Sequence, residues 1–139
     1  MFNNIDYDNL EDIYIKPYEL YETHTIDKLT FAFSYIGKGI MEGCDVHMDT
    51  STGNITVLKG VILADNCVIK LKDNVTFNLT DFDDYSSLTT DTYYLVFFYQ
   101  YDPANPDDKG FFDLIKISDY TYQDDPRYVI LSILEIVVT

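Results

Sequence analysis

The chain has no tryptophan, two cysteines, four prolines and six glycines in 139 residues, and only nine basic residues against 24 acidic ones. Each shortage excludes something. Cys44 and Cys67 fall in different predicted strands, without the paired spacing of a zinc site. They are expected as two free, buried thiols rather than a disulfide or metal ligands. A net charge of −15 opposes binding to nucleic acid or to an anionic membrane, since both would repel the chain. No run approaches the ~20 apolar residues of a membrane helix. The start, Met1-Phe-Asn-Asn-Ile-Asp-Tyr-Asp8, lacks the basic and apolar regions of a signal peptide. The two histidines, His24 and His47, have no partner at metal-ligand spacing. There is no Gly-x-Ser-x-Gly, phosphate loop or dinucleotide fingerprint. The expectation is a protein without catalytic residues, metal or cofactor.

What the chain does have is β-forming sequence. From Gly39 to Thr80 short runs of Val, Ile and Thr are cut by Gly, Asn and Asp at nearly every step, the pattern of successive antiparallel strands. Cys44, Val46 and Met48 alternate with Asp45, His47 and Asp49, so the latter set should face solvent. Ser51-Thr-Gly-Asn54 makes a hairpin turn. Asp65-Asn66 makes a two-residue one, which places Ala64 opposite Cys67 and Leu63 opposite Val68. Thr92 to Tyr101 is apolar and aromatic on both faces, as a strand covered on both sides would be. The expected fold is all-β, an antiparallel β-sandwich of about seven or eight strands. They lie near 44–49, 54–59, 61–64, 67–72, 75–80, 92–101, 111–117 and 128–138. Leu95, Phe97, Ile115, Ile117, Ile130 and Ile133 are the expected core. A short helix is expected over Thr25 to Lys38, capped by Thr25 or Asp27, with Leu29, Phe33 and Ile36 on one face and Gly37 and Gly39 ending it.

Residues 1–25 differ in kind from residues 26–139, which carry the helix and the sandwich. Acidic residues alternate with Ile5, Leu10, Ile13, Ile15, Leu20 and the tyrosines 7, 14, 18 and 21, and Pro17 blocks a helix. This reads as an extended arm that either folds over its own sandwich or docks on another subunit. Leu10, Ile13, Tyr14, Ile15, Tyr18, Leu20 and Tyr21 are the candidate protein-interface residues, because so much apolar surface needs cover.

The remaining polar groups are less informative. Asp81, Asp83 and Asp84, Asp107 and Asp108, and Asp124 and Asp125 bunch in loops. They are solvated charge or, less simply, a weak cation site, but no EF-hand spacing occurs. Asn54, Asn74 and Asn78 begin Asn-x-Thr triplets and are read as strand-edge residues. The tyrosines 85, 93, 94, 99, 101, 120, 122 and 128 either pack the core or form a contact surface for protein or sugar.

The order of segments carries a resemblance. Gly37-Lys-Gly39-Ile-Met-Glu-Gly43-Cys-Asp-Val46 is followed by a tight turn and Ile55-Thr-Val-Leu-Lys-Gly60-Val-Ile-Leu-Ala-Asp-Asn-Cys-Val-Ile69. Val75-Thr-Phe-Asn-Leu-Thr80, Tyr93-Tyr-Leu-Val-Phe-Phe-Tyr99 and Tyr128-Val-Ile-Leu-Ser-Ile-Leu-Glu135 complete it. Over residues 37–138 this resembles the β-rich modules of tailed-bacteriophage baseplate, tail-fibre and fibre-adaptor proteins. Cys44 stands where such modules usually have Leu, and Asn66 where they have Gly. The resemblance implies a virion structural protein, assembled in the host cytoplasm, that contacts other virion proteins. It also implies a symmetric homo-oligomer, a trimer favoured, with no catalytic residues to carry over. The alternatives are a small acidic inhibitor or DNA mimic, and a carbohydrate-binding β-sandwich. A mimic would range its carboxylates along one face, and the lack of Trp weighs against the sugar module.

Overall fold

The computed structural model describes residues 10–14, 38–65, 67–100 and 110–138. The helix expected over residues 25–38 therefore lies outside the described residues, except that Lys38 is a bend before the next strand. Ten strands are described: β1 (Leu10–Tyr14), β2 (Gly39–Gly43), β3 (Val46–Asp49), β4 (Asn54–Val57), β5 (Gly60–Ala64), β6 (Cys67–Leu71), β7 (Val75–Asn78), β8 (Asp91–Phe98), β9 (Phe111–Lys116) and β10 (Tyr128–Ile136). All pairings are antiparallel. The all-β expectation holds. The strands form three small sheets, ordered β1-β6-β5-β2, β3-β4-β7 and β10-β8-β9.

The first two sheets are halves of one bent meander. β2 and β3 pair with β5 and β4, and β6 and β7 then pair with β5 and β4 from the other side. The bend falls where two consecutive residues, Gly43 (φ 63°) and Cys44 (φ 62°), take the left-handed conformation. There the Cys44 amide donates to the Lys59 carbonyl (3.2 Å), and the Leu58 amide to Asp45 (2.9 Å). The Asn74 side chain accepts from the Lys59 amide at 2.9 Å and ties the third strand to the same corner. Asn78 bridges Thr52 and Asn54 with its amide nitrogen, both at 2.8 Å. The Asn-x-Thr asparagines 54, 74 and 78 thus lock turns together.

In the β3-β4-β7 half the alternation is clean. Val46, Val57 and Val75 lie opposite one another, as do Met48, Ile55 and Phe77, all packed on the core. His47 is exposed in the intervening row, beside Thr56 and Thr76, whose hydroxyls bond at 3.0 Å. The β5–β6 hairpin has the expected register, Ala64 opposite Cys67 and Leu63 opposite Val68.

One core joins all three sheets: Ile55 and Val57, then Ile62, Ala64, Cys67 and Ile69, then Leu95, Phe97, Phe112 and Leu134. Phe112 is the junction, its ring 5.3 Å from Phe97 in its own sheet and 5.6 Å from Phe77 in another. Tyr93 also enters this core, and its hydroxyl is satisfied by the Thr89 backbone at 3.1 Å.

Several expected strand bounds change: 75–80 ends at Asn78, before a 3₁₀ turn over 79–81, and 92–101 ends at Phe98. Gly39–Gly43, absent from the expected strand bounds, is a strand of its own, and 44–49 shortens to 46–49 because Cys44 is part of the corner. Leu95 and Phe97 are fully buried and Ile115 half-buried, but Ile117, Ile130 and Ile133 are 38%, 37% and 59% exposed. Ile117 belongs to a 3₁₀ turn (117–119) after β9 rather than to the strand. In β10, Ile130 faces away from buried Val129 by simple alternation, and for Ile133 the cause is a bulge. Ile130 pairs with Val96 and Ser132 with Leu95, so Leu131 is an extra residue that inverts the side-chain parity downstream. Ile133 is thereby turned outward, and Leu134 and Ile136 inward. The stability difference should be large. Leu134→Ala is expected to cost about 2–5 kcal/mol as a core truncation, and Ile133→Ala less than about 1 kcal/mol as a surface change. Equal losses in chemical denaturation would place the bulge wrongly.

Candidate functional site

Among the described residues, the outward face of the β10-β8-β9 sheet carries a concentrated aromatic surface. Strand register places Tyr128, Phe98 and Phe111 in one row, Ile130, Val96 and Asp113 in the next, then Ile133, Tyr94 and Ile115. A face this apolar needs cover, and part of the cover is local. The connection between β9 and β10, residues 117–127, crosses from one sheet edge to the other and lays Tyr120 edge-on against Tyr94 at 5.1 Å. Tyr120 then meets Tyr122 at 5.6 Å, and Tyr122 stacks on Tyr128 at 4.0 Å with 10° between planes. Tyr128 meets Phe98 at 4.9 Å, and Phe98 stacks on Phe111 at 4.8 Å. Six rings thus form one continuous series, and Val96 beneath it is fully buried.

Polar groups hold the crossover in place. Asp125 and Arg127 form a two-point ion pair, Nε to Oδ1 at 3.0 Å and Nη2 to Oδ2 at 2.7 Å. Hydrogen bonding from Arg127 draws the Asp125 carboxyl down to about 2. The Arg127 guanidinium also sits 5.4 Å from the centre of the Phe98 ring. Lys38, just before β2, donates from its ammonium to the carbonyls of Tyr122 and Asp125, both at 2.7 Å. Partial burial lowers the Lys38 pKa, and the nearby Asp125 and Asp124 oppose that shift. The Asp65 amide of the β5–β6 turn donates to the Pro126 carbonyl at 2.8 Å. Burial, the largest cause, raises the pKa of both Tyr120 and Tyr128, with Asp125 adding to each.

Beside this crossover a groove of about 270 Å³ opens between β2 and β10, lined by Lys38, Gly39, Tyr120, Gln123, Val129 and Ile130. A second hollow of about 220 Å³ lies between the 82–88 turn and the end of β9, lined by Phe82, Leu88, Tyr93 and Leu114 with Asp84, Lys116 and Asp119. The tyrosines divide between the two roles the sequence allowed. Tyr93, Tyr99 and Tyr120 are buried, Tyr94, Tyr122 and Tyr128 are half-exposed on the outward face, and Tyr85 is exposed elsewhere.

Of the interface residues read from the sequence, Leu10, Ile13 and Tyr14 lie on β1, which pairs with β6 as the edge of the four-stranded sheet. That stretch of the arm lies along its own sheet. Ile15, Tyr18, Leu20 and Tyr21 fall outside the described residues, as does His24. Among the loop carboxylates, Asp81 accepts from the Asn78 amide at 3.0 Å, and Asp125 is committed to Arg127. Asp107 and Asp108 lie outside the described residues. Among the described residues no three of His, Cys, Asp and Glu come together as a metal site. In the sequence, 118–127 is only the gap between two expected strands, with Asp124 and Asp125 in a loop, and its crossing of the sheet goes unrecognised. The available signal was Tyr120 and Tyr122 at alternate positions just ahead of Arg127 and Tyr128.

Both cysteines are free and buried. Burial, with a smaller contribution from Asp45, pushes the Cys44 thiol from its ordinary 9.0 up to about 11. A folded pKa above the unfolded one means that this contribution to stability is complete below pH 9 and is lost as pH rises toward 11. At pH 8 the folded protein is therefore expected to react negligibly with a thiol reagent, and to release two equivalents once unfolded in urea. Rapid labelling of the folded chain would show that the meander corner is open.

No family model, no curated protein and no solved structure matches the chain.

Proposed function

We propose that the protein is a structural subunit that works by protein–protein contact rather than by catalysis, and that it belongs to the virion of a tailed phage as a baseplate, tail or fibre-adaptor component. The observation that carries the contact reading is the outward face of the β10-β8-β9 sheet. It bears a series of half-exposed aromatic rings packed on one another, with Arg127 over Phe98 and with Ile130 and Ile133 exposed beside them. Aromatic and arginine side chains fixed in one conformation lose little entropy on docking, which is why they dominate protein interfaces. The virion reading rests on the order of motifs over residues 37–138, and with it the expectation of a symmetric homo-oligomer, a trimer favoured.

Two measurements test the proposal. Light scattering should give an oligomer of the 16.1-kDa chain, and the protein should co-purify with intact particles in fixed stoichiometry. Deleting residues 1–25 should weaken assembly if the arm contributes to it. A monodisperse monomer absent from particles would overturn the reading.

A further inference from the structure

Resting on the contact-module reading, the geometry points to a particular occupant for the strip beside the crossover: an extended, basic segment of a partner protein. The strip runs along β10, one of the two edge strands of its sheet, where Ile130, Ile133 and, just beyond the strand, Val137 are exposed. It is flanked by β2, where Ile40 and Met41 are exposed as well, and the groove walled by Gly39 and Ile130 joins the two. That groove has room for one large apolar side chain, with Tyr120 and Val129 as its apolar walls. β10 spans nine residues, so a segment of similar length laid along it covers the strip at ~3.3 Å per residue.

The charge around the strip selects the partner. Glu42 on β2, Glu135 on β10, Asp91 opposite Ile136 and Asp124 in the crossover are exposed. Among the described residues, Glu42 and Glu135 take part in no ion pair. Among the described residues, the cations that flank the crossover are already engaged, Lys38 by backbone carbonyls and Arg127 by Asp125. An apolar strip with a carboxylate rim, on a chain of net charge −15, is complementary to a segment that alternates aliphatic or aromatic residues with Lys or Arg. A second copy of the chain would instead bring its own carboxylates against these.

The test uses the full chain and a fluorescent nine-residue peptide alternating lysine and leucine, followed by anisotropy at low and physiological salt. A peptide alternating glutamate and leucine is the control. The wild-type chain is expected to bind the basic peptide and not the acidic one. Ile133→Asp, at a position exposed enough to leave the fold intact, should weaken binding by about tenfold or more, as loss of a central apolar anchor does. Glu42→Gln with Glu135→Gln should weaken it about threefold and flatten its salt dependence. An unchanged melting temperature confirms that each variant is folded. Failure of the basic peptide to bind overturns the inference. So does binding that ignores Ile133→Asp, which marks general attraction to an acidic chain, and so does binding that ignores the glutamate changes. Self-association abolished by Ile133→Asp would give the strip to a second copy and also overturn it. A chain absent from particles that still binds the peptide through Ile133 would lose the virion reading and keep this one.

Discussion

Phe97→Ala is expected to lower stability by about 3–5 kcal/mol. The side chain is fully buried in the central strand of its sheet, and its ring lies against Phe112, which in turn touches Phe77 of the meander. Removing it opens a cavity where separate sheets meet, and neither can close the gap without dragging its hydrogen-bonded neighbours. For a domain stable by roughly 5–15 kcal/mol this is a large share of the total. Urea denaturation should show the midpoint falling with the slope unchanged. A loss below about 1 kcal/mol would mean that the sheets do not share this core.

Gly60→Ala should be nearly as damaging, although it adds a single methyl group. A Cβ at Gly60 would stand 2.3 Å from the Glu42 carbonyl oxygen and 2.6 Å from both the amide nitrogen and the sulfur of Cys44. Two of these are backbone atoms of the strand across the corner, so rotamer changes cannot relieve the clash. Overpacking a tight site costs about 1–3 kcal/mol, and the upper end or beyond is expected where backbone must shift. With roughly 4 °C lost per kcal/mol in a domain of this size, the melting temperature should drop by about 10 °C. A variant as stable as the parent would show that the meander is not bent at 43–44 and 58–60.

Much of the strand pattern was legible because it depends on local chemistry. Period-2 alternation in 46–49 and turn residues at 51–54 and 65–66 point to hairpins whose partners are close in sequence; both form, the second in the expected register, while Asn54 is already the first residue of β4. Leu95 and Phe97 were legible for the same reason, since a central strand shows its burial in composition alone. Ile133 was misplaced because a bulge leaves no mark in a run of aliphatic residues, and Ile130 because an unbulged alternation already puts it on the face opposite Val129. Parity across Tyr128–Ile136 depends on pairing with Asp91–Phe98, some 40 residues earlier. The bend was hidden too, because Cys44 is not a residue type that announces a left-handed backbone.

The candidate site divides in the same way. Composition alone determined that this is an acidic, tyrosine-rich, strand-forming chain that is short of basic residues, because these are sums over residues that no fold can alter. The tertiary structure decided which tyrosines are core and which are surface. That choice depends on the 117–127 crossover lying over Tyr94 and Phe98, fastened by Lys38 from the far side of the sequence. It also decided that Ile133 is exposed and Leu134 is not. Neighbouring aliphatic residues are chemically alike, and only the strand they pair with can tell their two faces apart.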